Sequence, residues 1–286
     1  MGKLVSAIIT THNRSALLKR AIDSVLSQTY NNIECIVVDD NSADNTKELC
    51  LSYSNLKYIY IPENESRGGN YARNLGVKHS CGSYIAFLDD DDYWLPEKIE
   101  KQIHLINNSV ANVIYCGRTN EIVTGESSVF FEKTVLSKDF SGNLKTKIFT
   151  GIPTTTSALL IDRKSLFDVG LFDESIFFWQ EYDLMIRLAQ ISEFAYVDEP
   201  LLVYRIDKND KQRLTNKYKP WLEAVDYVRK KHCPLIDNLS LNKKLEFRKL
   251  IASDGYMRLM NSHNTRIKYK AKIKYYYSII LCKLFK

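Results

Sequence analysis

This 286-residue sequence lacks most of the signatures that assign a chain to a specialised class. Its six cysteines, Cys35, Cys50, Cys81, Cys116, Cys233 and Cys282, form no C-x-x-C pair and show no regular spacing, which excludes a zinc ribbon or disulfide framework and points to a reducing compartment. No apolar run approaches the roughly 20 residues needed to span a bilayer; the longest is Tyr275 to Leu281. Met1-Gly2-Lys3 leads into a strand-like run, Leu4 to Ile9, without the pattern of a signal peptide, so a cytoplasmic location is expected. His12, His79, His104, His232 and His263 lack metal-ligand spacing, and no G-x-S-x-G nucleophile motif occurs. The G-x-G-x-x-G of dinucleotide folds is also missing: Thr10-Thr11-His12-Asn13-Arg14 stands after the first strand instead, which argues against a nicotinamide enzyme. A net charge of +6 is modest, its Lys and Arg concentrate after Lys208, and no nucleic-acid-reading motif is found, so no nucleic-acid partner is expected.

With 45% apolar and 26% charged residues the composition is that of a globular protein. Short apolar runs at Val5–Thr10, Ile33–Asp40, Leu56–Ile61 and Tyr84–Leu88 alternate with helical patterns, such as Leu18, Ile22, Val25 and Leu26, then Asn70–His79 and Pro96–Asn107. That alternation predicts an α/β fold with a mostly parallel, Rossmann-like sheet flanked by helices. Residues 111–138 turn β-rich, with strands at Val113–Cys116 and Val129–Phe131. A further strand is read at Ser157–Ile161, and helices at Arg163–Val169 and Tyr182–Gln190. The segment after Asp207 is polar and basic, then helical.

Several strands end in polar or acidic residues: Thr10-Thr11-His12, Asp39-Asp40 and Asp89 to Asp92. In an open α/β sheet these ends share the edge where ligands bind. Four adjacent carboxylates repel one another, and a hard divalent cation with oxygen ligands relieves that repulsion. A solvated acidic loop is the plainer reading, but the end of a buried strand beside Trp94 and Pro96 favours a metal. Asp39-Asp40-Asn41-Ser42 reads both as a helix cap and as an acceptor for a base N–H or a ribose hydroxyl. Arg67-Gly68-Gly69-Asn70 precedes a helix, an arrangement suited to an anion or to a simple turn. Phe177-Phe178-Trp179 brings Glu181 and Asp183 to a helix start, where a carboxylate either favours the dipole or does chemistry.

Assembled in order, these segments resemble the family 2 glycosyltransferases of the GT-A fold, the inverting group that includes bacterial polysaccharide and O-antigen enzymes. The resemblance runs from about Val5 to Asp207. It is carried by Ser6 to Arg14, Ser27-Gln28-Thr29-Tyr30, Val37 to Ser42, Ala72-Arg73-Asn74, Asp89 to Asp92, Phe172-Asp173-Glu174, Gln180-Glu181-Tyr182-Asp183 and Val197-Asp198-Glu199-Pro200-Leu201. It implies that Thr10, His12, Arg14, Asp39, Asp40, Arg67, Asp89 and Asp90 surround the nucleotide. Asp91 would hold Mn²⁺ or Mg²⁺, with Asp89 and Asp207 as further candidates. The family's usual Tyr is His12 here, its usual Glu-Asp pair is Gln180-Glu181, and the histidine often found after Tyr-Arg-x is Asp207.

The function so implied is transfer of a sugar from a nucleotide-sugar donor, with UDP the family's commonest nucleotide, to a glycan or lipid-linked acceptor in surface-polysaccharide synthesis. Glu181 is the expected general base and Asp183 its rival. The competing readings are a nucleotidyltransferase and a non-catalytic sugar-nucleotide-binding protein. Residues 1–215 are expected to form the catalytic domain, with 1–110 as the donor half and 111–215 as the acceptor half. Residues 216–286 form a basic helical appendage. In it Ile273, Tyr276, Tyr277, Ile280, Leu281 and Leu284 make an apolar stripe among lysines, suited either to the anionic inner face of the cell membrane or to packing on the protein itself.

Overall fold

The structure is a computed structural model that describes residues 2–124, 128–134, 138–210, 217–260, 273 and 275–277. Strands β1 (Val5–Thr11), β2 (Ile33–Asp40), β3 (Leu56–Ile61) and β4 (Tyr84–Asp89) lie parallel in the order β3-β2-β1-β4. Their cores are apolar on both faces because both faces are covered. Ile8, Ile36 and Phe87 join one buried cluster, whereas Ala7, Ile9, Val37 and Leu88 join the other. Helices α1 (Ser15–Leu26), α2 (Thr46–Leu51) and α3 (Gly69–Lys78) make the crossovers between these strands.

Beyond β4 the sheet continues through short strands β5 (Tyr93–Trp94) and β8 (Leu160–Asp162) and the long pair β6 (Val113–Thr124) and β9 (Phe194–Asp207), with β7 (Ser128–Thr134) on β6. Among the described residues nine strands form one sheet, ordered β3-β2-β1-β4-β8-β6-β9-β5 with β7 off that path. β8 runs antiparallel to both neighbours, while β9 runs parallel to β6. The strand expected over Ser157–Ile161 starts later than its sequence suggests. Residues Thr156–Ala158 form a 3-10 turn, and the polar groups of Ser157 are committed elsewhere: its Oγ accepts from Asp89 N at 3.1 Å and its carbonyl from the Trp94 indole at 2.8 Å.

The β6–β9 ladder shifts register around Gly117. A Cβ there would stand 2.8 Å from the Glu199 carbonyl oxygen, so glycine is what lets the Asp198-Glu199 backbone swing in at this irregularity. After the shift the ladder resumes and sets Tyr204, Arg205 and Asp207 beside Asn120, Glu121 and Val123 of β6.

Helices α4 (Lys98–Asn107), α5 (Arg163–Asp168) and α6 (Gln180–Ile191) pack on the sheet, followed by α7 (Tyr218–Lys231), α8 (Cys233–Asp237) and α9 (Leu241–Met260). Trp221, Val225, Val228 and Phe247 of these last helices enter the same cluster as Ile8 and Phe87, so the C-terminal helices share the core of the sheet. Among the described residues no helix is long and apolar enough to cross a membrane. Of the tail stripe, Ile280, Leu281 and Leu284 lie outside the described residues, while Ile273, Tyr276 and Tyr277 are helical and exposed.

Candidate active site

The carboxyl ends of β1, β2 and β4 converge at one edge, as parallel strands require. Two left-handed asparagines, Asn13 (φ 53°) and Asn41 (φ 63°), turn the chain out of β1 and β2. This backbone region tolerates asparagine better than most residues. Asn13 N donates to Ser42 Oγ at 2.8 Å and Ala43 N to Asn13 Oδ1 at 2.7 Å, which ties the two turns together. His12 projects outward there, with Nδ1 2.6 Å from the Asp40 carbonyl.

The two acids of β2 have different situations. Asp39 is fully buried and takes Ser42 N at 2.9 Å and the Tyr58 hydroxyl at 2.7 Å, so it fastens the turn. Asp40 Oδ1 is buried with no hydrogen-bond partner among the described residues. Thr10 is half-buried at the end of β1. Arg67 is exposed before α3, its guanidinium 5.1 Å from the Tyr71 ring centre.

The four aspartates after β4 alternate. Asp90 and Asp92 are buried, whereas the side chains of Asp89 and Asp91 keep 34% and 31% exposure. Burial, together with repulsion from Asp91, pushes Asp90 up to about 7 against the pull of Arg14 and the Thr11 hydroxyl. Burial and the charges of Asp91 and Asp89 also raise Asp92 well above the carboxylate range. Arg14 reaches Asp90 at 3.3 Å, Asp91 at 3.2 Å and Asp210 at 3.5 Å, and Arg73 reaches Asp89 at 2.6 Å. Asp207, at the end of β9, pairs with Arg205 at 3.0 Å.

The edge therefore carries an excess of hard oxygen donors. Asp89, Asp91 and Asp207 are oxygen donors of the type Mg²⁺ or Mn²⁺ accepts, and each is paired here with an arginine, Arg73, Arg14 and Arg205 in turn. Among the described residues, no three His, Cys, Asp or Glu side chains converge as a ready-made cage. Mg²⁺ commonly binds in that way, completing its shell with water and substrate phosphates.

Beside this edge lies a cavity of about 150 Å³, bounded by Asp89, Thr156, Trp179, Glu181, Tyr204 and Arg258, with Phe177 and Phe178 along its wall. Trp179 starts α6 from a left-handed conformation, φ 57° and ψ 23°. For a bulky residue this costs on the order of 1–3 kcal/mol and persists only when the surroundings enforce it. Its ring packs edge-on to Tyr182 at 5.1 Å and to Trp221 at 6.0 Å. The turn delivers Glu181 to the cavity in the first turn of α6. There burial raises its carboxyl, and Asp89 adds to the rise, while Arg73 and Arg258 oppose it.

Asp183 sits in a different environment. It is fully buried and its oxygens are met by Arg187 at 2.7 Å, Lys231 at 2.9 Å and His232 at 2.8 Å. Burial works against its charge, but the His232 hydrogen bond and the Arg187 and Lys231 cations prevail and hold it down to about 2. The structure thus brings Glu181 together with Asp89 and places Asp183 in an ionic cluster between α6 and α7.

Sequence reasoning assigned no role to Arg73, Thr156, Tyr204 or Arg258. Arg73 and Tyr204 had a local signal, since they stand in Ala72-Arg73-Asn74 and in the Tyr-Arg-x run that precedes Asp207. The others arrive from distant elements that only the fold assembles.

A sheet of this order with an acidic cluster at the β4 edge is a GT-A architecture. The structure of S. aureus TarS 1–349 in complex with UDP-GlcNAc superposes with a TM-score of 0.67, covering 96% of this chain and 79% of that one at 18% identity. The glycosyl transferase family 2 profile matches residues 6–170, and the chain belongs to that family. An uncharacterized glycosyltransferase of Rickettsia typhi is 35% identical over 210 residues, which are 71% of this chain and 64% of the relative's length. A GalNAc(5)-diNAcBac-PP-undecaprenol beta-1,3-glucosyltransferase of Campylobacter jejuni is 29% identical over 268 residues, 88% of this chain and 80% of its own.

Proposed function

We propose that this chain is an inverting glycosyltransferase that moves a sugar from a nucleotide-sugar donor, a UDP-sugar, to a hydroxyl of a glycan or lipid-linked acceptor in bacterial surface-polysaccharide synthesis. Residues 1–110 then serve the donor, 111–215 the acceptor, and 216–286 are appended to them. The observation that carries the reading is the single cavity shared by Asp89, at the donor edge, and Glu181, on the opposite helix. The lipid-linked acceptor follows the name of the C. jejuni relative.

The unpartnered oxygen of Asp40 would accept a base N–H, with His12 beside it, and Arg67 and Arg14 would supply positive charge for the nucleotide. Glu181 would take the proton of the acceptor hydroxyl as its oxygen attacks the anomeric carbon. The new C–O bond forms as the bond to the diphosphate breaks, and the electron pair leaves with the nucleoside diphosphate. A raised carboxyl suits Glu181 to that proton transfer. Asp91, with Asp89, would hold a divalent cation whose charge offsets that of the leaving diphosphate, water and the donor phosphates completing its shell, and Asp207 is not brought into one set with them.

A panel of UDP-, dTDP- and GDP-sugars, assayed for free nucleotide with and without lipid-linked acceptors, tests the reading. Release of nucleoside diphosphate from at least one donor is expected. Pyrophosphate as the product would turn the reading into a nucleotidyltransferase, and silence across the panel would leave a binding protein. EDTA should abolish turnover and Mn²⁺ or Mg²⁺ restore it. Asp91→Asn that stays fully active in chelator would remove the metal from the proposal.

Peripheral membrane contact belongs to the same reading, supported by exposed Ile273, Tyr276 and Tyr277 in a lysine-rich tail. The full chain should sediment with phosphatidylglycerol vesicles and lose most of that binding when truncated after Asn264. Equal sedimentation of the two chains would leave the tail as a packing element.

A further inference from the structure

We propose that Asp254, on α9, is a positioning residue for the Glu181 base, acting through the indole of Trp179. The proposal rests on the glycosyltransferase reading above.

One oxygen of Asp254 accepts two indole N–H bonds, from Trp179 Nε1 and Trp221 Nε1, each at 2.7 Å. Its other oxygen accepts from Arg258 Nε at 3.2 Å. Both tryptophans are almost fully buried, 3% and 1% exposed, so neither N–H has water as a ready substitute. Their rings meet edge to face at 6.0 Å. Arg258 lies over Trp221 at 5.4 Å and over Phe178 at 5.7 Å, and it lines the cavity that holds Glu181.

The packing leaves no slack around this clasp. A Cβ at Gly255 would stand 2.7 Å from the far edge of the Trp221 ring, so α9 approaches the indole as closely as glycine permits. Trp179 is the left-handed residue that opens α6, and its carbonyl receives Asp183 N at 2.8 Å, the first bond of the helix. Glu181 lies within that turn. What fixes the Trp179 ring therefore fixes the approach of Glu181 to Asp89, and the fixing group comes from a helix well past residue 170, where the family match ends.

The test uses the full chain and two substitutions that separate hydrogen bonding from charge. Asp254→Asn keeps an oxygen able to accept both indoles; Asp254→Ala removes it. On the donor and acceptor that the wild type turns over, Asp254→Ala should lower kcat at least tenfold, with UDP affinity and binding stoichiometry within twofold of wild type. Asp254→Asn should stay within about threefold in kcat. A merely structural role would instead reduce the UDP stoichiometry in parallel with kcat. Independently of turnover, amide hydrogen exchange over residues 177–184 should accelerate at least tenfold in Asp254→Ala and stay near wild type in Asp254→Asn, with β1 and β2 unchanged. Unchanged exchange in Asp254→Ala, or a kcat per bound UDP equal to wild type, overturns the proposal. A wild type inactive on every donor would count against the glycosyltransferase reading, while the exchange result would still decide whether Asp254 holds the turn.

Discussion

Glu181→Gln is expected to bind UDP as the wild type does and to lose roughly 10²–10⁴ in turnover, the usual cost of removing a general base. The base must stand on the acceptor side of the anomeric carbon, away from the diphosphate, which excludes the Asp89 to Asp92 cluster. In the proposed reading Glu181 takes that place from α6, lining the same cavity as Asp89 of β4. Gln is nearly isosteric, keeps the hydrogen-bonding reach and cannot take the proton, so the loss should fall on kcat with donor KM nearly unchanged. The raised carboxyl also sets a pH dependence. Turnover should fall on the acid side as Glu181 becomes protonated, with the midpoint above the ordinary glutamate value near 4.3. Single-turnover kinetics and UDP calorimetry on the variant decide the matter. Near-normal turnover would return the role to another carboxylate.

Asp183→Ala is expected to destabilise the fold by about 1–3 kcal/mol, because it leaves part-buried Arg187 and buried His232 without their fully buried acceptor. Its side chain is completely buried and gathers Arg187, Lys231 and His232, with Asp173 holding the same Lys231 at 2.6 Å. The carboxylate is depressed in the folded state, to about 2 from the 3.8 of a free group. Its contribution is therefore fully present above the unfolded value. It is lost as pH falls from about 4 to about 2, on the order of 2 kcal/mol in all. Urea titrations of wild type and Asp183→Ala at pH 7 give the first number, and the acid limb of wild-type stability gives the second. A variant with wild-type stability but no turnover would instead make Asp183 the base.

The donor half was legible because its strands obey the simplest rule: runs such as Val5–Ile9 and Ile33–Val38 are apolar on both faces, and polar residues mark where they end. β9 was not legible as one strand, because Asp198-Glu199-Pro200 interrupts the apolar pattern and the irregularity opposite Gly117 hides the continuity. Within the acidic run, composition showed an excess of charge but not its division into buried Asp90 and Asp92 and accessible Asp89 and Asp91. Glu181 and Asp183 are roughly 200° apart on a helix, so one at most could face the cavity. Which one does depends on the left-handed turn at Trp179 and on cations from α6 and α7. Arg258 and Asp254 had no local signal, since their roles exist only once α9 lies against Trp179.

The ionic cluster at Asp183 also bears on how such genes can recombine. The carboxylate on α6 is paired with Lys231 and hydrogen-bonded to His232, 48 and 49 positions downstream. A crossover between them that paired α6 of one parent with a differently charged α7 of another would leave the offspring chimaera with unmatched charge in its interior. The stretch from Asp173 through α9 should accordingly be inherited as one block, with viable seams falling before residue 173 or after residue 260.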